Sequence, residues 1–212
     1  MLERISRREE FDLFVAWIAI SLAFAIIFLR DTDTGRVDPV VALLFLGISL
    51  FTVGIGFILH EMAHKFTAIK YGFWAEFRKD NMMLVVAVAL AALVGVVFAA
   101  PGATVIYDTN GRGISREQNG KISVAGPIVN LVLCIPFAAL LIYGGTGNIV
   151  TMIGMIGFQV NAMIAAFNML PVSVLDGKKV FAWNKAVFVV IILAAFGALL
   201  VSFSPNALSN LL

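Results

Sequence analysis

The sequence predicts an all-α polytopic membrane protein, and three observations carry that prediction. Hydrophobic residues make up 61% of the 212-residue chain, and the mean hydropathy is +0.99, far beyond what a soluble core needs. Six apolar stretches follow one another, most of them near the roughly 20 residues that a helix needs to cross a hydrocarbon layer about 30 Å thick. The 15 Lys and Arg and 13 Asp and Glu fall mostly between those stretches. Little chain is left for a soluble domain, so residues 1–212 read as a single membrane-embedded domain.

Residues 11–29 form the first apolar span. Arg4, Arg7 and Arg8 precede it in the manner of a secretion signal, but no small-residue cleavage site comes before Arg30 and Asp31, so an uncleaved first helix is expected. Arg30 to Val37 is a polar connection. Asp38 followed by Pro39 is a helix start signal, and the second span, 39–66, carries twenty mostly apolar residues into His60-Glu61-Met62-Ala63-His64. A polar stretch with Lys70, Arg78 and Lys79 leads to apolar residues 82–100. Pro101 and Gly102 break that segment, Ala103 to Tyr107 reads as a short strand, and Asp108 to Gly113 is rich in turn residues. The remaining spans are 122–143, 149–170 and 186–203.

Whether five or six of these segments cross is a question of charge. If all six cross, the basic residues divide seven against eight between the two sides. If 82–100 enters and returns on one side, they divide thirteen against two, with only Arg30 and Arg36 outside. The positive-inside bias favours the re-entrant arrangement, with the N-terminus cytoplasmic. Irregular backbone at membrane depth is tolerated where it lines a protein-enclosed cavity.

His60 and His64 are the two histidines of the chain. Four residues apart on a helix, they share a face and can grip one zinc ion, with Glu61 in reach of the water that a catalytic zinc carries. A tetrahedral catalytic site wants a third protein ligand. Asp176 answers best, because it follows the apolar helix that ends at Leu170, and a carboxylate so placed needs a partner such as a metal. Both ligand sets sit at C-terminal ends of apolar helices, so they share a side only if 82–100 does not cross. The pattern HExxH also occurs by chance in soluble helices. Its use of both histidines beside a membrane run, with a matching Asp-Gly, points to a metal hydrolase.

Other features have blander readings. Gly54 and Gly56 permit close helix packing. Asn130, Gln159, Asn161 and Asn168 are intramembrane amides, suited either to interhelical hydrogen bonds or to binding a substrate backbone. Cys134 is the single cysteine, a small apolar filler that excludes an intrachain disulfide. The balanced charge, with no basic run interleaved with aromatics, argues against nucleic-acid binding. A metal-ion transporter would want several acidic or histidine sites along a path, and apart from Asp12 and the HExxH residues the apolar segments hold none.

With His60-Glu61-Met62-Ala63-His64, Gly126-Pro127-Ile128-Val129-Asn130, and Asn168-Met169-Leu170-Pro171 before Asp176-Gly177, the chain resembles the site-2 protease family of intramembrane zinc metalloproteases. The resemblance covers Leu59 to Lys178 and is that of a compact member, with no PDZ or CBS module. It implies a zinc metalloendopeptidase with Zn2+ as cofactor, held by His60, His64 and Asp176, and Glu61 as catalytic base. Asn130 would position the substrate or polarise its carbonyl, with Gly126, Pro127 and Asn168 beside it. The implied substrate is a transmembrane helix of another protein, cut near the cytoplasmic face of a cell membrane. A re-entrant element would follow the zinc-binding helix, and its strand, Pro101 to Tyr107, would pair with the unwound substrate. Where many relatives carry a second proline, this chain has Val172-Ser173-Val174-Leu175. The competing expectation is a catalytically silent homologue that holds membrane helices as a scaffold.

Overall fold

The computed structural model describes residues 5–30, 38–95, 97, 101–108, 111, 113–145, 147–172 and 174–203. Among them are seven helices and two strands: α1 (Arg7–Arg30), α2 (Pro39–Lys70), β1 (Trp74–Lys79), α3 (Asn81–Val94), β2 (Gly102–Tyr107), α4 (Arg116–Tyr143), α5 (Ile149–Asn168), α6 (Asp176–Trp183) and α7 (Lys185–Ser202). Five of these helices, α1, α2, α4, α5 and α7, are long and apolar enough to cross a membrane. The polar connection expected between the first two spans lies, at 31–37, outside the described residues.

The helices start and stop where side chains can serve the free backbone groups. The Asp38 carboxylate accepts from Val40 N at 2.7 Å, with Pro39 opening α2. Ser115 and Gln118 form a reciprocal capping box that starts α4 at Arg116, ahead of its apolar stretch. Asn184 separates α6 from α7, accepting from Ala186 N at 2.9 Å and Val187 N at 3.1 Å. α2 runs on to Lys70 and stops at Tyr71 and Gly72, the latter with φ of 84°.

α1 and α2 are antiparallel. The Trp17 indole donates to Leu50 O at 2.8 Å, seated over Gly54, where an added Cβ would meet Nε1 at 2.7 Å. At the other end Lys65 is fully buried and ion-paired with Glu9, whose second oxygen accepts from Phe77 N at 3.0 Å. The first turn of α1 is thereby fastened both to α2, one residue past His64, and to β1. The main apolar core, including Phe24, Val53, Phe57, Phe77, Ile156 and Val160, lies between α1, α2, α5 and the sheet.

Residues 82–100 do not form one long helix. α3 has 14 residues, about 21 Å at 1.5 Å per residue, short of the roughly 30 Å of a bilayer core. It ends on Gly95, whose φ of 77° places it in the left-handed region and turns its N–H back to Leu90 and Ala91. Arg30, the last residue of α1, donates to Ala92 O at 2.5 Å, a carbonyl at the helix end, and at 3.4 Å to Ala91 O, which also accepts from Gly95 N. Residues 96 and 98–100 lie outside the described set. The chain then returns to the point of departure. β2 pairs antiparallel with β1, from Trp74↔Tyr107 to Lys79↔Gly102, so the segment between them leaves and re-enters at one end of the sheet. This re-entrant geometry leaves two long helices, α4 and α5, between the sheet and α6. β1 itself was not expected from the sequence.

Candidate metal centre

His60 and His64 lie one turn apart on the buried face of α2, their Nε2 atoms 3.0 Å apart. Asp176, the first residue of α6, brings Oδ2 to 3.1 Å from His64 Nε2 and 3.4 Å from His60 Nε2. All three side chains are buried, and their ligand atoms lie within 4.8 Å of one another. Ligands about 2.0–2.1 Å from a tetrahedral zinc stand about 3.3 Å apart. The observed separations match that spacing, so the donor set fits such an ion without rearrangement.

Both imidazoles are oriented from behind. His60 Nδ1 donates to Asn130 Oδ1 at 2.5 Å, and His64 Nδ1 donates to Ile122 O at 2.8 Å. With the protons on Nδ1, the Nε2 lone pairs face the common centre. Asn130 cannot turn away, because its amide nitrogen donates to Gly56 O at 3.1 Å and to Asn161 Oδ1 at 2.8 Å. Asn161 is fixed in turn by Gly157 O at 2.8 Å. An added Cβ at Gly56 would strike the Asn161 amide at 2.8 Å, so that glycine makes room for the network.

α4 closes over the histidines at Gly126. A Cβ there would sit 2.5 Å from His64 Nε2 and 2.6 Å from His60 Nε2, so no other residue lets this helix approach the rings. Gly177 acts similarly at the other ligand. Its φ is not positive, so backbone freedom is not what calls for a glycine here. Instead a Cβ there would collide with the Met169 carbonyl at the end of α5, and that close approach seats Asp176. Burial opposes the charge of Asp176, while the two facing imidazoles outweigh it and hold the carboxyl well below the usual carboxylate range. Lys179 Nζ lies 3.9 Å from its other oxygen.

Glu61 stands beside the triad, 7% exposed, where two cavities meet. One is polar, lined by His64, Asp176, Lys179, Thr104 and Ser123. The other is apolar and runs between α1, α3 and α5. His60, Glu61, Gly102 and Asn168 border both.

Over 197 residues the chain is 37% identical to the "Putative zinc metalloprotease MJ0611" of Methanocaldococcus jannaschii, a match that covers 93% of this chain and 95% of that relative. The chain belongs to the site-2 protease family. No family model matches it, and no solved structure does.

The structure brings His60, Glu61, His64 and Asp176 together and sorts the residues expected to bind substrate. Asn168 borders both cavities, and its amide donates to Ile164 O at 3.0 Å. Asn130 lies behind the His60 ring and Gly126 lies against the two Nε2 atoms, and with Pro127, buried in α4, they border neither cavity. For Asn130, the interhelical hydrogen bonds are what the geometry displays. Sequence reasoning missed Thr104, whose hydroxyl donates to Glu61 Oε2 at 2.8 Å, and the Ile122 carbonyl behind His64. Thr104 carried a signal only in its place on the expected strand, and a backbone carbonyl carries none.

Proposed function

We propose that this chain is an intramembrane zinc endopeptidase that cuts a peptide bond within or near a transmembrane helix of another membrane protein. The observation that carries the proposal is the position of Glu61, beside a triad of ligand spacing and at the junction of a polar and an apolar cavity. Zinc, held by His60, His64 and Asp176, supplies a Lewis acid for the scissile carbonyl and brings the pKa of a water toward about 7.

The remaining steps belong to the protein. Glu61 takes a proton from the attacking water and returns it to the leaving nitrogen. Thr104 holds one oxygen of that carboxylate and leaves the other to the water. Asn130 and the Ile122 carbonyl keep the histidine protons on Nδ1 throughout. A helical substrate hides its carbonyls in its own hydrogen bonds, so it must unwind before it is cut. Among the described residues β2 has a strand partner on one edge only, and strand addition on the other edge would hold the unwound segment beside Glu61. With α3 too short to cross, the basic residues gather on the side of the N-terminus, which supports a cytoplasmic site in a multi-pass protein of the cell membrane.

The test compares detergent-purified wild type with Glu61→Gln, His64→Ala and Asp176→Ala. About one zinc per chain is expected in wild type and in Glu61→Gln, and none in the other two variants. Cleavage of membrane-helix substrates should vanish in all three variants. Cleavage retained by Glu61→Gln would remove Glu61 from its role, and a wild type that takes up no zinc would leave the helix-holding scaffold as the better account.

A further inference from the structure

The apolar cavity beside Glu61 is not used by the chemistry above. Its walls come from Ile20 and Phe24 of α1, Phe57 of α2, Ala87 of α3, and Met163 and Phe167 of α5. Phe24, Phe57 and Ala87 are at most 3% exposed, which makes that wall fixed. The polar groups on the lining, His60, Glu61 and Asn168, belong to the junction with the polar cavity. Gly102, the first residue of β2, also borders both. A peptide backbone lying along the open edge of β2 with its carbonyl at the triad therefore has the mouth of this cavity beside it.

We infer that the cavity receives one aliphatic side chain of the substrate, at a residue bordering the scissile bond, and that Ala87 and Met163 set its size limit. This rests on the protease reading and adds a specificity to it. The volume is about 70 Å³. A cavity of about 150 Å³ accepts benzene, so half that volume admits the three or four carbons of valine or leucine and refuses an aromatic ring. A polar side chain would find no hydrogen-bond partner beyond the junction. Ala87 presents the smallest side chain of the fixed wall, so each carbon added there is taken from the cavity. Met163 is flexible and half-buried, so shortening it enlarges the space.

The experiment uses zinc-loaded protein reconstituted in phosphatidylcholine and phosphatidylglycerol vesicles with a library of single-span helices, varied in turn at each position, with products read by mass spectrometry. Wild type should cut beside valine or leucine at least about 10-fold faster than beside phenylalanine or aspartate, the scale on which a pocket discriminates single carbons. Ala87→Val should shift the preference toward alanine, and Met163→Ala should admit phenylalanine, each with unchanged zinc content. Should Ala87→Val fail to fold, Met163→Ala decides alone. Cleavage indifferent to the flanking residue, or a ranking unmoved by the variants, overturns the inference and leaves the cavity to a lipid chain. Failure of zinc-loaded wild type to cut any member overturns the protease reading itself.

Discussion

The Thr104 hydroxyl donates a hydrogen bond to Glu61 Oε2 at 2.8 Å, joining the strand of the re-entrant element to the glutamate of the HExxH helix. A hydrogen bond to a charged group is worth about 1.5–3 kcal/mol. If it is needed to aim the carboxylate, its loss lowers turnover about 10- to 100-fold. Thr104→Val keeps the shape and strand preference and removes the donor, so that loss is expected with zinc content unchanged. Thr104→Ser restores the donor and should recover most of the rate. Equal turnover in the valine and wild-type proteins would show that Thr104 does not position Glu61.

Gly126 makes a sharper prediction, because the space it leaves is filled by the ligand rings themselves. Gly126→Ala places a Cβ 2.5 Å from His64 Nε2. Either α4 moves outward or the imidazoles tilt, and in both cases the three donors no longer converge. Zinc content should fall well below one per chain while the helix content by circular dichroism stays the same. An alanine variant that binds zinc as wild type does would mean that α4 yields freely at this point.

Asn130 should act on the metal rather than on the substrate. It accepts from His60 and spends both amide N–H donors on Gly56 O and Asn161, and its side chain is buried, so it has no donor to offer a bound peptide. Asn130→Leu keeps the size and frees the His60 ring, and groups of this kind typically contribute 10- to 100-fold to metal affinity. Titration against a chelator should show a zinc dissociation constant raised by about that factor. A variant with unchanged zinc affinity and a raised KM would return Asn130 to the substrate.

The candidate site was legible in the sequence where it depends on local periodicity. His60, Glu61 and His64 need only the helical repeat, and Asp176 stood out as an acid beside an apolar run. What the sequence could not convey is contact between distant segments. Glu76, Arg78 and Lys79 make β1 look like a polar loop. It is ordered because Glu9 takes the Phe77 N–H, because Arg78 lies 3.8 Å from Asp12, and because β2 pairs along it. Hydropathy marked 82–100 as one apolar stretch but could not say that Gly95 would end the helix and let the chain turn back. The charge count reached the re-entrant arrangement instead, since it responds to topology.

The buried pair of Glu9 and Lys65 gives the last prediction. Both side chains are fully enclosed, so a charge left alone there is cut off from bulk solvent. Glu9→Gln keeps an acceptor for Phe77 N but leaves the Lys65 cation unpaired, and breaking a buried pair on one side costs about 3–5 kcal/mol. Adding Lys65→Met removes the stranded charge, so the double variant should regain most of the lost stability. Melting temperatures in detergent would read both steps: a clear drop for the single variant and recovery for the double. Lys65 follows His64 directly, and Glu9 also holds the strand that pairs with β2. The single variant should therefore lose turnover along with stability, through Thr104 and Glu61. If the single variant melts as wild type does, the first turn of α1 is not what fastens the sheet to the metal-binding helix.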